Sequence, residues 1–135
     1  MAYWILKTEP TTYSFDRLVK ERTAVWDGVR NPLALKHIRS MRKGDQVCIY
    51  NTGNEKAAVG LAAVASAPYA DPKAKDERLV VVDLRSGKKL ARPVTLAEIR
   101  AEPALKDLAL VRMPRLSVVP ATDAQWAKLM RMGER

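Results

Sequence analysis

The residues best equipped for chemistry fall in two short stretches, "LKTEP" and "VWDGVRN". In the first, Lys7, Thr8 and Glu9 precede Pro10: a lysine with a lowered pKa could activate a threonine hydroxyl while a carboxylate relays the proton. Successive strand residues point to opposite faces, so Lys7 and Glu9 share one face and Thr8 takes the other. The three converge only if the strand is irregular before Pro10, and the simpler expectation is a Lys7–Glu9 ion pair at a strand end. The second stretch sets Trp26, Asp27, Gly28, Val29, Arg30 and Asn31 side by side, with neither a cysteine pair nor a nucleotide loop nearby. Trp26 is read either as one more core aromatic or as a wall of a binding pocket.

Other familiar chemistries lack their signatures. The chain has no phosphate-cradling glycine loop, no G-x-G-x-x-G and no G-x-S-x-G elbow. His37 is the only histidine and Cys48 the only cysteine, so neither a metal cluster nor an internal disulfide can be assembled, and no metal or cofactor is expected. Cys48 lies in the apolar "QVCIYN" and reads as a buried structural thiol.

The elements that must position these residues can be read from local pattern. Tyr3 to Lys7 is rich in aromatic and branched residues and reads as a strand stopped by Pro10. Ser14 caps a short helix in "FDRLVKER". Asn31 caps the next, with Pro32 at its first position, Leu35, Ile38 and Met41 in a stripe, and Gly44 as a stop. The start of that helix lies beside Trp26, Gly28 and Arg30, and its free N–H groups favour an acceptor-rich or anionic ligand. "QVCIYN" and "AAVGLAAVAS" read as strands separated by "NTGNEK". "LVVVDL" and "LARPV" read as a hairpin through "RSGKK", with Pro93 implying an edge or a bulge. Thr95 with Glu98, and Thr122 with Gln125, cap two later helices, and Trp126 faces the core with Leu129 and Met130. Strands mixed with short helices, without βαβ alternation, predict an α+β fold built on a compact mixed barrel.

Lysine and arginine outnumber aspartate and glutamate by 24 to 15, a net charge of +9. Nucleic acid is the leading partner class for such a chain, because basic side chains that neutralise phosphates release condensed counterions. One domain over residues 1–135 is expected from the length. No run of about 18 apolar residues and no signal-peptide pattern occurs, so the bacterial cytosol or nucleoid is the expected location and no membrane partner is expected. The oligomeric state has no sequence signal.

Taken in order, "YWILKTEPTTYSFDRL", "VWDGVRN", "MRKGDQVCIYN" and "AVGLAAVASAPYADP" resemble the EVE domain, the thymocyte nuclear protein 1 family, and "RLSVVPATDAQW" resembles its C-terminal element. The matching segments span nearly the whole chain. The resemblance implies a PUA-like fold, a small mixed β-barrel with flanking short helices, related to YTH and ASCH domains. It also implies binding of a modified base in DNA or RNA, in the manner of YTH domains that hold a methylated base in an aromatic cage.

On that basis the expected pocket is formed by Lys7, Thr8, Glu9, Pro10, Trp26, Gly28, Val29, Asn31, Asn51 and Thr52. Trp26 would stack on one extruded base, a contact worth about 1–3 kcal/mol. Asn31, Thr8 and the "NTGN" loop would hydrogen-bond its edge, Gly28 would let the backbone approach, and Arg30, Lys36 and Arg39 would hold phosphates. Two other readings stay open: an ASCH-type hydrolase of a modified nucleoside using Lys7, Thr8 and Glu9, and a general RNA-binding module with no pocket.

Overall fold

The structure is a computed structural model describing residues 1–134. In chain order it contains β1 (Tyr3–Thr8), α1 (Phe15–Glu21), β2 (Thr23–Trp26), α2 (Pro32–Ser40), β3 (Gln46–Asn51) and β4 (Ala57–Val64). There follow β5 (Tyr69–Ala70), β6 (Val80–Thr95), α3 (Leu96–Ala101), a 3-10 turn (Pro103–Leu105), α4 (Ala109–Arg112), β7 (Val118–Ala121) and α5 (Asp123–Met132). One mixed sheet runs in the order β2-β6-β4-β3-β1-β7, with the short β5 added on β6. Only β1 and β3 pair in parallel. β3 lies between β4 and β1 and is buried from Val47 to Asn51, which explains its unbroken apolar run.

The helix starts follow their caps. Ser14 accepts from Arg17 N, and the Asn31 carboxamide oxygen accepts from Leu33 N and Ala34 N with Pro32 at the first helical position. Thr95 with Glu98 and Thr122 with Gln125 form complete capping boxes. Trp126 is buried and stacks on Tyr3 with ring centroids 4.7 Å apart. Cys48 is fully buried, which pushes its thiol pKa up to about 12.

Three expectations are corrected. The sheet does not close into a barrel, because β2 ladders only with β6 and β7 only with β1, leaving two open edges. β7 reaches β1 only as far as Leu6, and past the bond from Lys7 N to Ser117 O the first strand ends and turns at Glu9, so no backbone is left to bridge the edges. The "RSGKK" hairpin does not form either: residues 80–95 are one strand, since β4 pairs with Leu84 to Ser86, with Lys89 and again with Val94 and Thr95. The surplus residues of β6 are absorbed by register shifts, one falling between the Gly60–Lys89 and Ala58–Val94 pairs, so Pro93 sits in a bulge where its missing N–H costs no ladder bond. Finally, α2 stops at Ser40 rather than continuing to Gly44, with Met41 as a buried, extended C-cap.

Asp45 fastens the chain's start to the sheet. Its carboxylate accepts from Trp4 Nε1 at 3.0 Å, Arg42 N at 2.9 Å and Ala2 N at 3.1 Å. The side chains of Ile5, Leu6, Leu18, Ile38, Ile49, Leu84, Ile99 and Leu129 fill the core.

Candidate functional site

Between the two open edges lies a cleft of about 940 Å³, within the roughly 300–1,000 Å³ typical of ligand pockets. One wall comes from Lys7, Thr8 and Glu9 at the end of β1 and from Ser117 just before β7. The opposite wall is β2 and the turn after it, Thr23 to Arg30. Tyr13, Arg17 and Glu21, on and before α1, add to the lining.

Local chemistry explains these positions. Thr12 N and Tyr13 N both donate to Glu9 O, and Thr8 Oγ1 donates to Tyr13 O at 2.5 Å, so the chain folds sharply after β1 and delivers Tyr13 beside it. Tyr13 meets Trp26 edge to face, with centroids 6.0 Å apart at 86°. Its hydroxyl donates to Glu21 at 2.6 Å, and the Arg17 guanidinium lies 5.0 Å from its ring centre. Burial, then the Glu21 bond and charge, push the Tyr13 pKa up to about 12, so the phenol stays protonated. Trp26 is 8% exposed, belongs to the core and also lines the cleft. Gly28 takes φ +80 with open space where a side chain would begin, a backbone shape that glycine adopts without strain.

The expected Lys7–Glu9 ion pair is absent among the described residues. Lys7 Nζ instead donates to Pro114 O at 2.7 Å, and its pKa is lowered by burial. Glu9 accepts from Thr11 N, Thr11 Oγ1 and Thr52 Oγ1. The pair fails because Glu9 lies past the last strand residue, where the turn carries its carboxylate toward Thr52. Lys7, Thr8 and Glu9 thus line one cleft while each side chain is bonded to a different partner, with no direct hydrogen bond among the three side chains in the described residues.

Of the residues singled out from sequence, Lys7, Thr8, Glu9, Trp26, Gly28, Val29 and Arg30 line the cleft. Pro10, Asn31, Asn51, Thr52, Lys36 and Arg39 do not. The Asn31 oxygen is taken up capping α2, and Thr52 lines a smaller hollow on the far side of Lys7. Asn51 is buried, with its Oδ1 unpartnered among the described residues. Arg39 donates to Arg78 O beside a shallow groove that it shares with Arg30. Tyr13, Arg17, Glu21, Lys73 and Ser117 are cleft residues that sequence reasoning passed over. The spacing of Tyr13, Arg17 and Glu21, each four residues from the next, is the one signal that could have grouped the first three.

An open mixed α+β sheet with short helices leaves a ligand-sized cleft between its two edges. The EVE domain family model matches residues 2–132, and the chain belongs to that family. Mouse thymocyte nuclear protein 1 is 28% identical over 166 residues, covering 98% of this chain and 74% of that protein. The NMR structure of a Rhodopseudomonas palustris protein is 40% identical with a TM-score of 0.93, covering 98% of this chain and 93% of that one. The crystal structure of human THYN1 protein in complex with 5-methylcytosine containing DNA is 24% identical with a TM-score of 0.91, covering 100% and 99% of the two chains. Among the described residues no helix is long and apolar enough to cross a membrane, and no group of side chains is set to hold a metal ion.

Proposed function

We propose that this protein is a non-enzymatic reader of a modified base in nucleic acid, taken up singly in the cleft between β1 and β2, and that one domain carries the whole activity. The observation that carries this reading is the cleft itself, in which a half-buried Tyr13 and a buried Trp26 meet edge to face beside carboxylate, hydroxyl and guanidinium groups. Aromatic surface supplies a stacking platform that accepts any base, and the polar groups around it supply the discrimination. The human relative's complex with 5-methylcytosine containing DNA makes a cytosine modified at carbon 5 the first candidate, with DNA tested before RNA. The net charge of +9 adds affinity that does not depend on sequence, with Arg30, Lys73 and Arg17 at the cleft and Lys36 and Arg39 beyond it as phosphate partners. The bacterial cytosol or nucleoid is the compartment this role implies.

The hydrolase reading is the weaker one, since Lys7, Thr8 and Glu9 are each committed elsewhere. The test is fluorescence anisotropy at two salt concentrations with short oligonucleotides carrying cytosine, 5-methylcytosine or 5-hydroxymethylcytosine. A preference for a modified base that survives high salt supports the reader. Uniform binding that collapses with salt would mean a general nucleic-acid binder, and turnover of the modified base lost in Lys7→Ala would mean an enzyme.

A further inference from the structure

Carboxylates in a cleft that takes up nucleic acid need a reason, because they repel phosphate. Three of them, Glu9, Glu21 and Asp27, line this one in a chain that carries +9 overall. Two are occupied: Glu21 accepts from Tyr13 Oη at 2.6 Å and Arg17 Nε at 3.4 Å, and Glu9 accepts from Thr11 Oγ1 at 3.1 Å and Thr52 Oγ1 at 3.4 Å. Asp27 has no hydrogen-bond or ion-pair partner among the described residues. It is exposed and follows directly on Trp26, at the end of β2 where the chain turns through Gly28.

Resting on the reading of the cleft as a base pocket, we infer that Asp27 is the acceptor that selects bases with an exocyclic amine, cytosine or adenine in type, against thymine and uracil. A carboxylate accepts the N4 amine of cytosine, whereas opposite the O4 of thymine it sets two acceptors face to face. Thymine is 5-methylcytosine with that amine replaced by oxygen and a proton on N3, so a pocket that recognised only the methyl group would take both. A base seated against Trp26 and Tyr13 brings its amine edge to the exposed Asp27 carboxylate, where a charge-assisted bond is strong.

The test is anisotropy at high salt with single-stranded DNA that carries cytosine, 5-methylcytosine, uracil or thymine at one central position. The wild-type protein is expected to bind the amine base of each pair, 5-methylcytosine over thymine and cytosine over uracil, by about tenfold or more. Asp27→Asn, whose amide can donate to O4, is expected to bring both ratios close to one while leaving the ratio of 5-methylcytosine to cytosine as it was. Asp27 is exposed, so the variant should melt like the wild type, and Asp123→Asn, an exposed carboxylate outside the cleft, should leave the amine-to-oxygen ratios intact. Ratios that persist in Asp27→Asn, or that vanish equally in Asp123→Asn, would overturn the inference. Equal binding of 5-methylcytosine and cytosine would overturn the modified-base reading alone, because the cytosine-to-uracil ratio and its response to Asp27→Asn would still decide the role of this residue.

Discussion

Phe15 lies so close over Gly60 that a Cβ built on the glycine would fall 2.2 Å from the ring's Cζ. The missing side chain in the middle of β4 thereby sets where α1 rests on the sheet, and α1 carries Arg17 and Glu21 to the cleft. Gly60→Ala is expected to cost about 1–3 kcal/mol in urea denaturation, the usual penalty for overpacking, and to weaken oligonucleotide binding as α1 shifts. Adding Phe15→Leu should recover part of the loss. Strictly additive effects of the two changes would show that the contact does not place the helix.

Acid should loosen the chain's start first. Burial raises the Asp45 pKa, but the bonds from Trp4, Arg42 and Ala2, with the nearby N-terminal charge, outweigh it and hold the pKa below the ordinary 3.8. A carboxyl depressed in the folded state stabilises it fully above the unfolded value, and that contribution is lost as pH falls through the folded one. Glu98 behaves alike, lowered from 4.5 to about 2 chiefly by Arg92. Burial lowers the His37 pKa below 6.5, so thermal melts are expected to decline gently as pH falls below that value and to fall steeply from about 4.5 toward 2. Asp45→Ala should be destabilised by about 3 kcal/mol at neutral pH, since it leaves three donors unpaired, and should show a shallower acid limb.

Trp26 belongs to core and cleft together, so its truncation mixes two effects. Trp26→Ala should cost about 3–5 kcal/mol of stability, and weaker binding by that variant alone would say little about the base. Trp26→Phe keeps most of the buried area. If the indole wall supports the base, Trp26→Phe should melt close to wild type yet lose part of the modified-base preference, with unchanged salt dependence; an unchanged preference would leave Tyr13 as the stacking surface.

Cys48 is fully buried and its thiol is pushed up to about 12 by desolvation. The native protein should resist a thiol reagent at pH 8 and react promptly once unfolded. The reaction rate under native conditions then reports opening of the central sheet, and prompt native labelling would contradict the burial of β3.

The capping residues were legible because a cap acts within three or four positions: Ser14, Asn31, Thr95 and Thr122 each satisfy backbone groups of their own helix. The family was legible for a related reason, since "KTEP", "WDGVRN" and "GD" keep their order and spacing along the chain. "RSGKK" has turn-like composition, yet it lies in a strand because Ala62 and Ala63 of β4 and Thr23 of β2 pair with it on both sides. No local signal carries that information. The cleft is of the same kind. It exists because β2 and β7 find no common ladder, and it joins Tyr13, Trp26, Lys73 and Ser117, which are far apart in sequence and meet only when the sheet is assembled. Composition and short-range hydrogen bonding therefore announce the elements and the basic character of the chain, whereas the open edges and the free carboxylate of Asp27 follow from long-range pairing, where each strand's partner depends on every other strand.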